Sequence, residues 1–420
     1  MQDPLQYLFG LEPIGIKFGL ENITSLVESL GHPERAFRSV HVAGTNGKGS
    51  VTAMVDAALR AARRRSARYT SPHLVDIRER FVIDGRPVTE EALAGVISYV
   101  RDRIESLRAA GALDVQPTFF EVTTAVAFEL FRRARVDIAV IEVGLGGRLD
   151  ATNVVEPVVA AITSIAFDHQ QYLGDSVRAI AAEKAGIIKR GVPVVIGRMA
   201  PEAEAVIERV VQERAAELIR AWDGVDAVRL KEEHVRLRTP TRDYGDLEIA
   251  LRGEHQIGNA IVAVRLLELL DVPAQAIVDG LAHVAWPGRL DVRHLAGGRE
   301  AILDAAHNPA GAAALASYLQ EQPGGRPPLV FGAMRDKDVD GMFRALLPAV
   351  SALVVTRASN RRAADPAMLA ERARAIAPEL AVVAKSAPRD ALEEAWRLAP
   401  RIVVAGSIFL LGDVMREMNW

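Results

Sequence analysis

The stretch HVAGTNGKGSV, residues 41–51, decides the fold of this chain. It joins a short apolar segment, SVHVAG (39–44), to an amphipathic one, SVTAMVDAALRAARR (50–64). This order predicts a buried strand, a glycine-rich turn and a helix. Because backbone N–H groups and the positive end of a helix converge at such a turn, the position favours an anion-binding site.

The turn departs from the usual phosphate loop, which has a glycine, four free residues and then Gly-Lys-Ser/Thr. Gly47-Lys48 is followed by Gly49 and only then by Ser50, and Val42 stands where the first glycine belongs. The alternative is a glycine-rich turn with an incidental lysine. The strand before it and the helix after it favour a phosphate site, with Lys48 directed to the β- and γ-phosphates.

Short apolar runs alternate with amphipathic segments along most of the chain, and EAEAVIERVVQERAAEL (202–218) predicts a long helix. Apolar strands without two-residue alternation predict parallel sheets covered by helices on both faces. Residues 226–252 do alternate and predict a small antiparallel meander. We therefore expect an α/β fold with two doubly wound domains. These are an N-terminal P-loop ATPase-type domain with the meander (1–292) and a smaller C-terminal Rossmann-like domain (293–420).

The composition excludes several functional classes. The net charge of -3 gives no reason to expect nucleic acid or an anionic membrane as a partner. The absence of cysteine rules out disulfides, thiolate catalysis and cysteine-bound zinc. No apolar run reaches the ~18 residues of a membrane span, and MQDPLQYLFGLEPIG lacks the pattern of a signal peptide. We expect a cytoplasmic monomer that acts on small molecules.

Polar residues at the ends of predicted strands are candidates for a site. Glu142 interrupts the apolar strand VDIAVIEVG (136–144), where a bare carboxylate would cost several kcal/mol unless paired or metal-bound. Its place at the carboxyl end of a parallel strand predicts a magnesium ligand rather than an edge-strand glutamate. Ser71 and His169 also follow strands, but each is a weak signal alone. Lys184 lies among small residues on a predicted helix, and by itself it is interpreted as solvent-facing.

The second half of the chain holds a similar set of polar residues. Each of them could be a helix cap or a turn residue. Their shared position, at strand ends or element junctions facing an interdomain cleft, makes them candidates for ligand binding. These residues are Asn259, Arg289, Asp304, His307 and Ser407.

The ordered motifs resemble one family, folylpolyglutamate synthase/dihydrofolate synthase, a branch of the Mur ligase superfamily. They span nearly the whole chain, and chance would not reproduce their order. The motifs are IKFGLENI, HVAGTNGKGSV, TSPHLVDIRERF, FFEVTTAVAF, EVGLGGRLDATN, SIAFDHQQYLGD, EKAGIIK, HQIGNA, WPGRLD, DAAHNPAGA and GSIFL.

The resemblance implies ATP as co-substrate, L-glutamate, and two Mg²⁺ ions. It assigns the phosphates to a loop of seven residues, Gly44, Thr45, Asn46, Gly47, Lys48, Gly49 and Ser50. It assigns the first magnesium to Ser50, Ser71 and Glu142, and the second to His169. Lys184 matches the lysine that is carbamylated by CO2 in this family, which would turn an ammonium into a metal-binding anion.

Three further groups follow from the resemblance. Asn259, Arg289 and Asp304 would contact the adenine nucleotide. His307 and Ser407 would receive the incoming glutamate. Phe120, Arg148 and Asn153 fall where the family has its pterin pocket. The catalytic set is then Lys48, His169, Lys184 and His307.

The implied activity is an ATP-dependent amide ligase that adds L-glutamate to dihydropteroate, to the glutamate tail of reduced folates, or to both, through an acyl phosphate. The nearest alternative is a Mur-type cell-wall ligase acting on a UDP-linked muropeptide. A nucleotide switch or kinase leaves the second domain unexplained, and a pure interaction module leaves Glu142 unexplained.

Overall fold

The computed structural model describes residues 3–15, 17–231 and 233–420. The motif IKFGLENI begins at Ile16, and the predicted meander contains Glu232; these two positions lie outside the described residues. Within the described part, no helix is long and apolar enough to cross a membrane.

The first sheet has eight strands in the order β4-β3-β2-β5-β1-β6-β7-β8. The six strands β2, β5, β1, β6, β7 and β8 run parallel. At one edge β3 pairs antiparallel with β2, and β4 pairs antiparallel with β3. Their bounds are β1 Arg38–Ala43, β2 Ser66–Tyr69, β3 Phe81–Ile83, β4 Arg86–Pro87, β5 Ile138–Glu142, β6 Val159–Ile162, β7 Val194–Ile196 and β8 Leu218–Arg220. Strands β5, β6 and β7 are buried throughout, as their unbroken apolar sequences predict.

Helices cover both faces of this sheet. Their bounds are α1 Pro4–Phe9, α2 Glu21–Ser29, α3 Lys48–Ala61, α4 Glu90–Ala109, α5 Phe119–Ala134, α6 Gln170–Leu173, α7 Val177–Ala185, α8 Pro201–Glu213, α9 Glu254–Leu269 and α10 Ala274–His283. Helix α3 begins at Lys48, two residues before the predicted start. It packs closely on α10 because Gly280 has no side chain to meet the backbone of Ala58.

The predicted long helix over 202–218 is wrong at its end. Helix α8 stops at Glu213, Ala215 adopts a left-handed conformation (φ 47°), and Leu218 begins β8. Leu218 pairs with Val194 of β7, so sheet formation overrides the helical periodicity at this point.

The predicted meander is confirmed as a separate three-stranded antiparallel sheet in the order β11-β10-β9. Its strands are β9 Asp226–Lys231, β10 His234–Arg238 and β11 Asp243–Glu248. Val235, Leu237 and Leu247 point into the core that contains α3, α9 and α10, which attaches the meander to the first domain.

The second domain has a six-stranded sheet in the order β12-β13-β17-β14-β15-β16. The elements are β12 Asp291–His294, β13 Glu300–Leu303, α11 Pro309–Glu321, β14 Leu329–Phe331, α12 Val339–Leu346, β15 Ala352–Val355, α13 Pro366–Ile376, β16 Ala381–Ala384, α14 Pro388–Leu398, β17 Arg401–Ala405 and α15 Ile408–Met418. All strands except β12 run parallel. The predicted boundary after residue 292 falls inside β12, which pairs with β13 of the second sheet.

Candidate active site

A cleft of about 790 Å³ lies between the two domains. Because loops at the carboxyl ends of both parallel sheets line it, the cleft has the location at which α/β folds bind ligands. Most of the predicted site residues line this cleft. They are residues 44–50, Ser71, Glu142, His169, Lys184, Asn259, Arg289, Asp304, His307 and Ser407.

The glycine-rich loop takes a conformation that needs its glycines. Gly44 (φ 150°) and Gly47 (φ 87°) lie in the left-handed region, and a Cβ atom on either would collide with Thr163 or Asn259, respectively. Lys48 Nζ donates to the carbonyl oxygens of Gly44 (3.1 Å) and Thr45 (3.3 Å). The ammonium and the N-terminus of α3 therefore lie at the same point of the cleft, which favours an anion there.

Glu142 is the last residue of β5 and is 5% exposed. Its Oε2 accepts a hydrogen bond from the backbone N–H of Ser71 (3.2 Å), which follows the neighbouring strand β2. Burial raises the pKa of the Glu142 carboxyl, and the nearby Lys48 ammonium offsets part of this rise. The backbone of Ser71 therefore contacts the Glu142 carboxylate, and Ser50 lines the same cleft.

The interpretation of Lys184 as solvent-facing is wrong, because its side chain is buried in the wall of the cleft (4% exposed). Its Nζ donates to the carbonyl oxygen of Gly44 (2.9 Å). Burial, and then the neighbouring Lys48 ammonium, lower the pKa of Lys184 to about 7. An amine with this pKa is substantially neutral at physiological pH.

A polar cluster joins the two domains, and the sequence analysis missed three of its members, Asp168, Asn308 and Lys337. Asp168 Oδ1 accepts from Lys337 Nζ (2.6 Å), and its Oδ2 accepts from Asn308 Nδ2 (3.1 Å) and lies 3.3 Å from His307 Nε2. Asn308 Nδ2 also donates to Asn46 Oδ1 of the glycine-rich loop (3.0 Å). Burial alone would raise the pKa of Asp168, but the neighbouring His307 and Lys337 hold it well below its usual range.

The available signal for this cluster was the position of its members after strand ends. Asp168 directly precedes His169, and Lys337 follows β14 in GAMRDKD (332–338). Neither residue interrupts an apolar run, so the sequence alone did not distinguish them from ordinary loop residues.

His169 faces Lys337 in this structure, with 3.2 Å between His169 Nε2 and Lys337 Nζ. Burial, and then the Lys337 ammonium, lower the pKa of His169 to about 4. A neutral imidazole accepts a hydrogen bond from Lys337 through Nε2, so this nitrogen already has a partner.

Two of the side chains predicted to bind nucleotide and glutamate, Asp304 and Ser407, also hold turns that line the cleft. Asp304 accepts from the backbone N–H groups of Leu290 and Ala306, both at 2.9 Å. Ser407 caps α15 by accepting from the N–H of Phe409 (3.1 Å). Both side chains line the cleft while fixing the backbone around it.

Among the residues that the structure describes, the three predicted for the pterin pocket are not part of the cleft lining. The ring of Phe120 packs against Gly144, which does line the cleft, and stacks on Tyr69. Arg148 is paired with Glu183 (2.7 Å) near the surface. Asn153 Nδ2 donates to the carbonyl oxygens of Arg148 (3.0 Å) and of Gly186 (3.1 Å), so it joins two loops behind the cleft wall.

Two protein-family models match the chain. The Mur ligase middle domain matches residues 84–267, and the Mur ligase glutamate ligase domain matches residues 288–408. These matches cover well over half of the sequence.

Curated relatives carry the names that the motif order predicts. A dihydrofolate synthase/folylpolyglutamate synthase of Mycobacterium tuberculosis is 40% identical, over 84% of this chain and 76% of the relative. The protein of the same name from Escherichia coli K12 is 33% identical, over 99% of this chain and 94% of the relative.

Solved structures agree with these matches. Mycobacterium tuberculosis folylpolyglutamate synthase, complexed with ADP and AMPPCP, superposes with a TM-score of 0.93 at 36% identity and covers 100% of this chain and 98% of that chain. E. coli FolC, in complex with DHPP and ADP, superposes with a TM-score of 0.88 at 29% identity and covers 100% of this chain and 98% of that chain. The chain therefore belongs to the dihydrofolate synthase/folylpolyglutamate synthase branch of the Mur ligase family.

Proposed function

We propose that this chain is an ATP-dependent ligase that adds L-glutamate to dihydropteroate and to the glutamate tail of reduced folates. One observation carries the proposal within the family. The phosphate loop on the first domain faces Asp304, His307 and Ser407 of the second domain across a single cleft. Several relatives are named both dihydrofolate synthase and folylpolyglutamate synthase, which supports an enzyme that acts on dihydropteroate and on reduced folates.

The nucleotide is assigned to the loop at residues 44–50, with Lys48 and the N-terminus of α3 facing its phosphates. Asn259 lies against Gly47 and lines the cleft, a position that supports the predicted contact with the adenine nucleotide. Arg289 and Asp304 would complete the nucleotide site from the side of the second domain. Closure of that domain would then complete the site only when both substrates are present.

The donor set at Glu142 fits a magnesium ion. The described residues contain no group of three His, Asp or Glu side chains arranged for a metal. Magnesium, however, usually takes one or two carboxylates and completes its shell with phosphate and water. Glu142, with Ser71 in contact and Ser50 lining the same cleft, supplies such a partial set. When bound, the ion would neutralise charge on the transferring phosphoryl group.

The second metal site and the carbamate rest on weaker support. His169 would have to release Lys337 before Nε2 could bind an ion. Lys184 has the property that reaction with CO2 requires, a buried amine whose pKa lies near 7. The neutral amine would form an N–C bond to CO2 and release one proton, leaving a carbamate anion in the cleft.

The reaction needs a carboxylate to become electrophilic. The acceptor carboxylate attacks the γ-phosphorus of ATP and gives an acyl phosphate and ADP. The glutamate amine then forms a bond to the acyl carbon, the C–O bond to phosphate breaks, and the proton lost from nitrogen leaves with the phosphate. Lys48 offsets charge during transfer, and Asp168 orients His307, which would receive the glutamate with Ser407. Closure of the two domains would protect the acyl phosphate from water.

Phosphate release in the presence of Mg-ATP and L-glutamate tests this function. Dihydropteroate, a reduced folate and a UDP-linked muropeptide serve as alternative acceptors. We expect release with the first two and none with the third, because family membership favours folate acceptors over the cell-wall alternative. Release with the muropeptide alone would overturn the proposal. A cytoplasmic location stays a prediction from composition, and a monomeric state stays a prediction.

A further inference from the structure

Trp286, in the segment between the two domains, packs against the glycine-rich loop. The usual phosphate loop has Ser or Thr directly after its lysine, whereas this chain has Gly49 at that position. A Cβ atom on Gly49 would lie 2.7 Å from Cζ2 and 3.1 Å from Nε1 of Trp286. Because carbon atoms pack at about 3.5–4.0 Å, the indole takes the space that the usual hydroxyl side chain would fill.

Arg68 of β2 contacts the same indole. Its guanidinium carbon lies 5.2 Å from the ring centre of Trp286, within the range of a cation–π contact. Arg68 Nη1 donates to Asp56 Oδ2 (3.4 Å) on α3, and Asp56 Oδ1 accepts from Ser66 Oγ (2.6 Å) on β2. Asp56 is fully buried and the Arg68 side chain is 15% exposed, which leaves both groups little freedom. The position of the indole is therefore set by the helix that begins at the loop and by a strand of the same sheet.

The chain runs from Trp286 into the second domain within a few residues. Arg289, three residues later, lines the cleft, and the intervening Pro287 stiffens the connection because its φ is fixed. The N–H of Leu290 then donates to Asp304 Oδ2 (2.9 Å), which attaches the end of the segment to the second domain. Three residues of extended chain span at most about 11 Å, so a movement of the indole displaces Arg289 as well.

These contacts connect the loop to the side chains that the nucleotide site needs from the second domain, and this step rests on the proposed function. We propose that Trp286 is a positioning residue for ATP. The phosphates fix the loop, the loop fixes the indole at Gly49, and the indole places Arg289 against the nucleotide. The alternative is that Trp286 only fills the core around α3, α9 and α10, against which it also packs. Core filling alone would lower stability and leave the nucleotide affinity unchanged.

Calorimetric titration of Trp286→Ala and Trp286→Phe with ADP separates these alternatives. We expect the Kd for ADP to rise about tenfold or more for Trp286→Ala, within the range for residues coupled through direct contact. Trp286→Phe keeps an aromatic ring beside Gly49 and Arg68, and its Kd should stay within about threefold of the wild-type value. In the ligase assay the KM for ATP should rise in parallel, while the KM for L-glutamate changes by less than about twofold. A lower melting temperature of Trp286→Ala with an unchanged Kd for ADP would overturn the proposal.

Trp396→Ala is the matched control. Trp396 is a half-buried tryptophan of the second domain with an arginine of its own, since the guanidinium carbon of Arg299 lies 4.9 Å from its ring centre. Its loss should lower stability without changing the Kd for ADP or the KM for ATP. An equal rise in the Kd for ADP in Trp286→Ala and Trp396→Ala would assign the effect to destabilisation and refute a positioning role.

Gly49→Ala tests whether the loop acts through the indole. Alone, the added methyl group collides with Trp286 and should raise the Kd for ADP about fivefold or more. Combined with Trp286→Ala it has no ring to meet, so its further effect should be less than about twofold. Equal effects of Gly49→Ala with and without the tryptophan would show that the loop and the indole act independently, which contradicts the proposal.

Fluorescence reports the coupling in a protein that keeps Trp286. A triple variant leaves this residue as the only one of the chain's four tryptophans. Its substitutions are Trp222→Phe, Trp396→Phe and Trp420→Phe. The emission of Trp286 should change on titration with ADP and saturate with the Kd that calorimetry gives for the same protein. No change in emission at saturating ADP would overturn the positioning role without affecting the proposed ligase function, whereas a wild type that binds no ADP would refute the proposed function itself.

Discussion

Asp168 and Lys337 hold the two domains together across the active-site cleft, with 2.6 Å between Asp168 Oδ1 and Lys337 Nζ. Both side chains are almost buried, at 8% and 10% exposure. A buried pair is costly to break from one side because the remaining charge is left without a partner. Because Asp168 also contacts His307, the Asp168–Lys337 pair couples the closed position of the domains to the orientation of the His307 side chain.

Asp168→Asn should lower the free energy of unfolding by about 3 kcal/mol at neutral pH, because it leaves Lys337 buried without its counter-charge. The neighbouring cations hold the pKa of Asp168 below its unfolded value, so its contribution is complete above that value and is lost as the pH falls. Thermal unfolding should show the variant to be less stable than the wild type throughout pH 5 to 8. The difference should shrink below roughly pH 4. A difference that grows on acidification would contradict the assignment.

Lys48→Ala should reduce kcat by at least about a thousandfold, since it removes a preorganised charge from the phosphoryl group in transfer. Circular dichroism should show an unchanged fold. Lys231→Ala, at an exposed position of the meander, is the control and should keep wild-type activity. Near-normal turnover of Lys48→Ala would remove the loop from the proposed mechanism.

Lys184→Ala should also lose activity, and a short carboxylic acid should restore part of it by supplying the missing oxygens. Because the pKa of Lys184 lies near 7, the neutral amine increases as the pH rises through that value. Activation of the wild type by bicarbonate should therefore be greater at pH 8 than at pH 6. Failure of both rescue and activation would exclude the carbamate while leaving the ligase function standing.

Glu142→Gln should separate stability from function. Burial raises the pKa of this carboxyl, so the folded state is penalised as the pH rises past the unfolded value. At pH 8, without metal, the variant should be more stable by about 1 kcal/mol. It should also need a much higher Mg²⁺ concentration for half-maximal activity. A variant that is less stable and has unchanged magnesium dependence would argue for a purely structural Glu142.

Gly412→Ala should weaken the contact between the domains, because a Cβ at this position would collide with the carbonyl oxygen of Leu74. Leu74 belongs to the loop that follows Ser71, and its side chain packs against the hydrophobic core of the second domain. We expect a loss of about 1–3 kcal/mol in the free energy of unfolding, together with a lower kcat. Gly95→Ala is the control, since nothing lies within 4 Å of its added Cβ. Equal stability of the two variants would refute the contact.

The sequence determined the strands, the glycine-rich turn before α3 and the second α/β domain because apolar periodicity and glycine position are local signals. It also singled out Glu142, since a carboxylate inside an apolar run is visible without coordinates. Order along the chain was enough to identify the family.

Only the tertiary structure decided which polar residues meet. Lys184 looked like a surface lysine, yet packing places it beneath Gly44 and lowers its pKa. Asp168 and Lys337 lie 169 residues apart and join only because two sheets present their carboxyl ends to one cleft. Contacts between distant segments depend on how domains pack, and no local pattern encodes them.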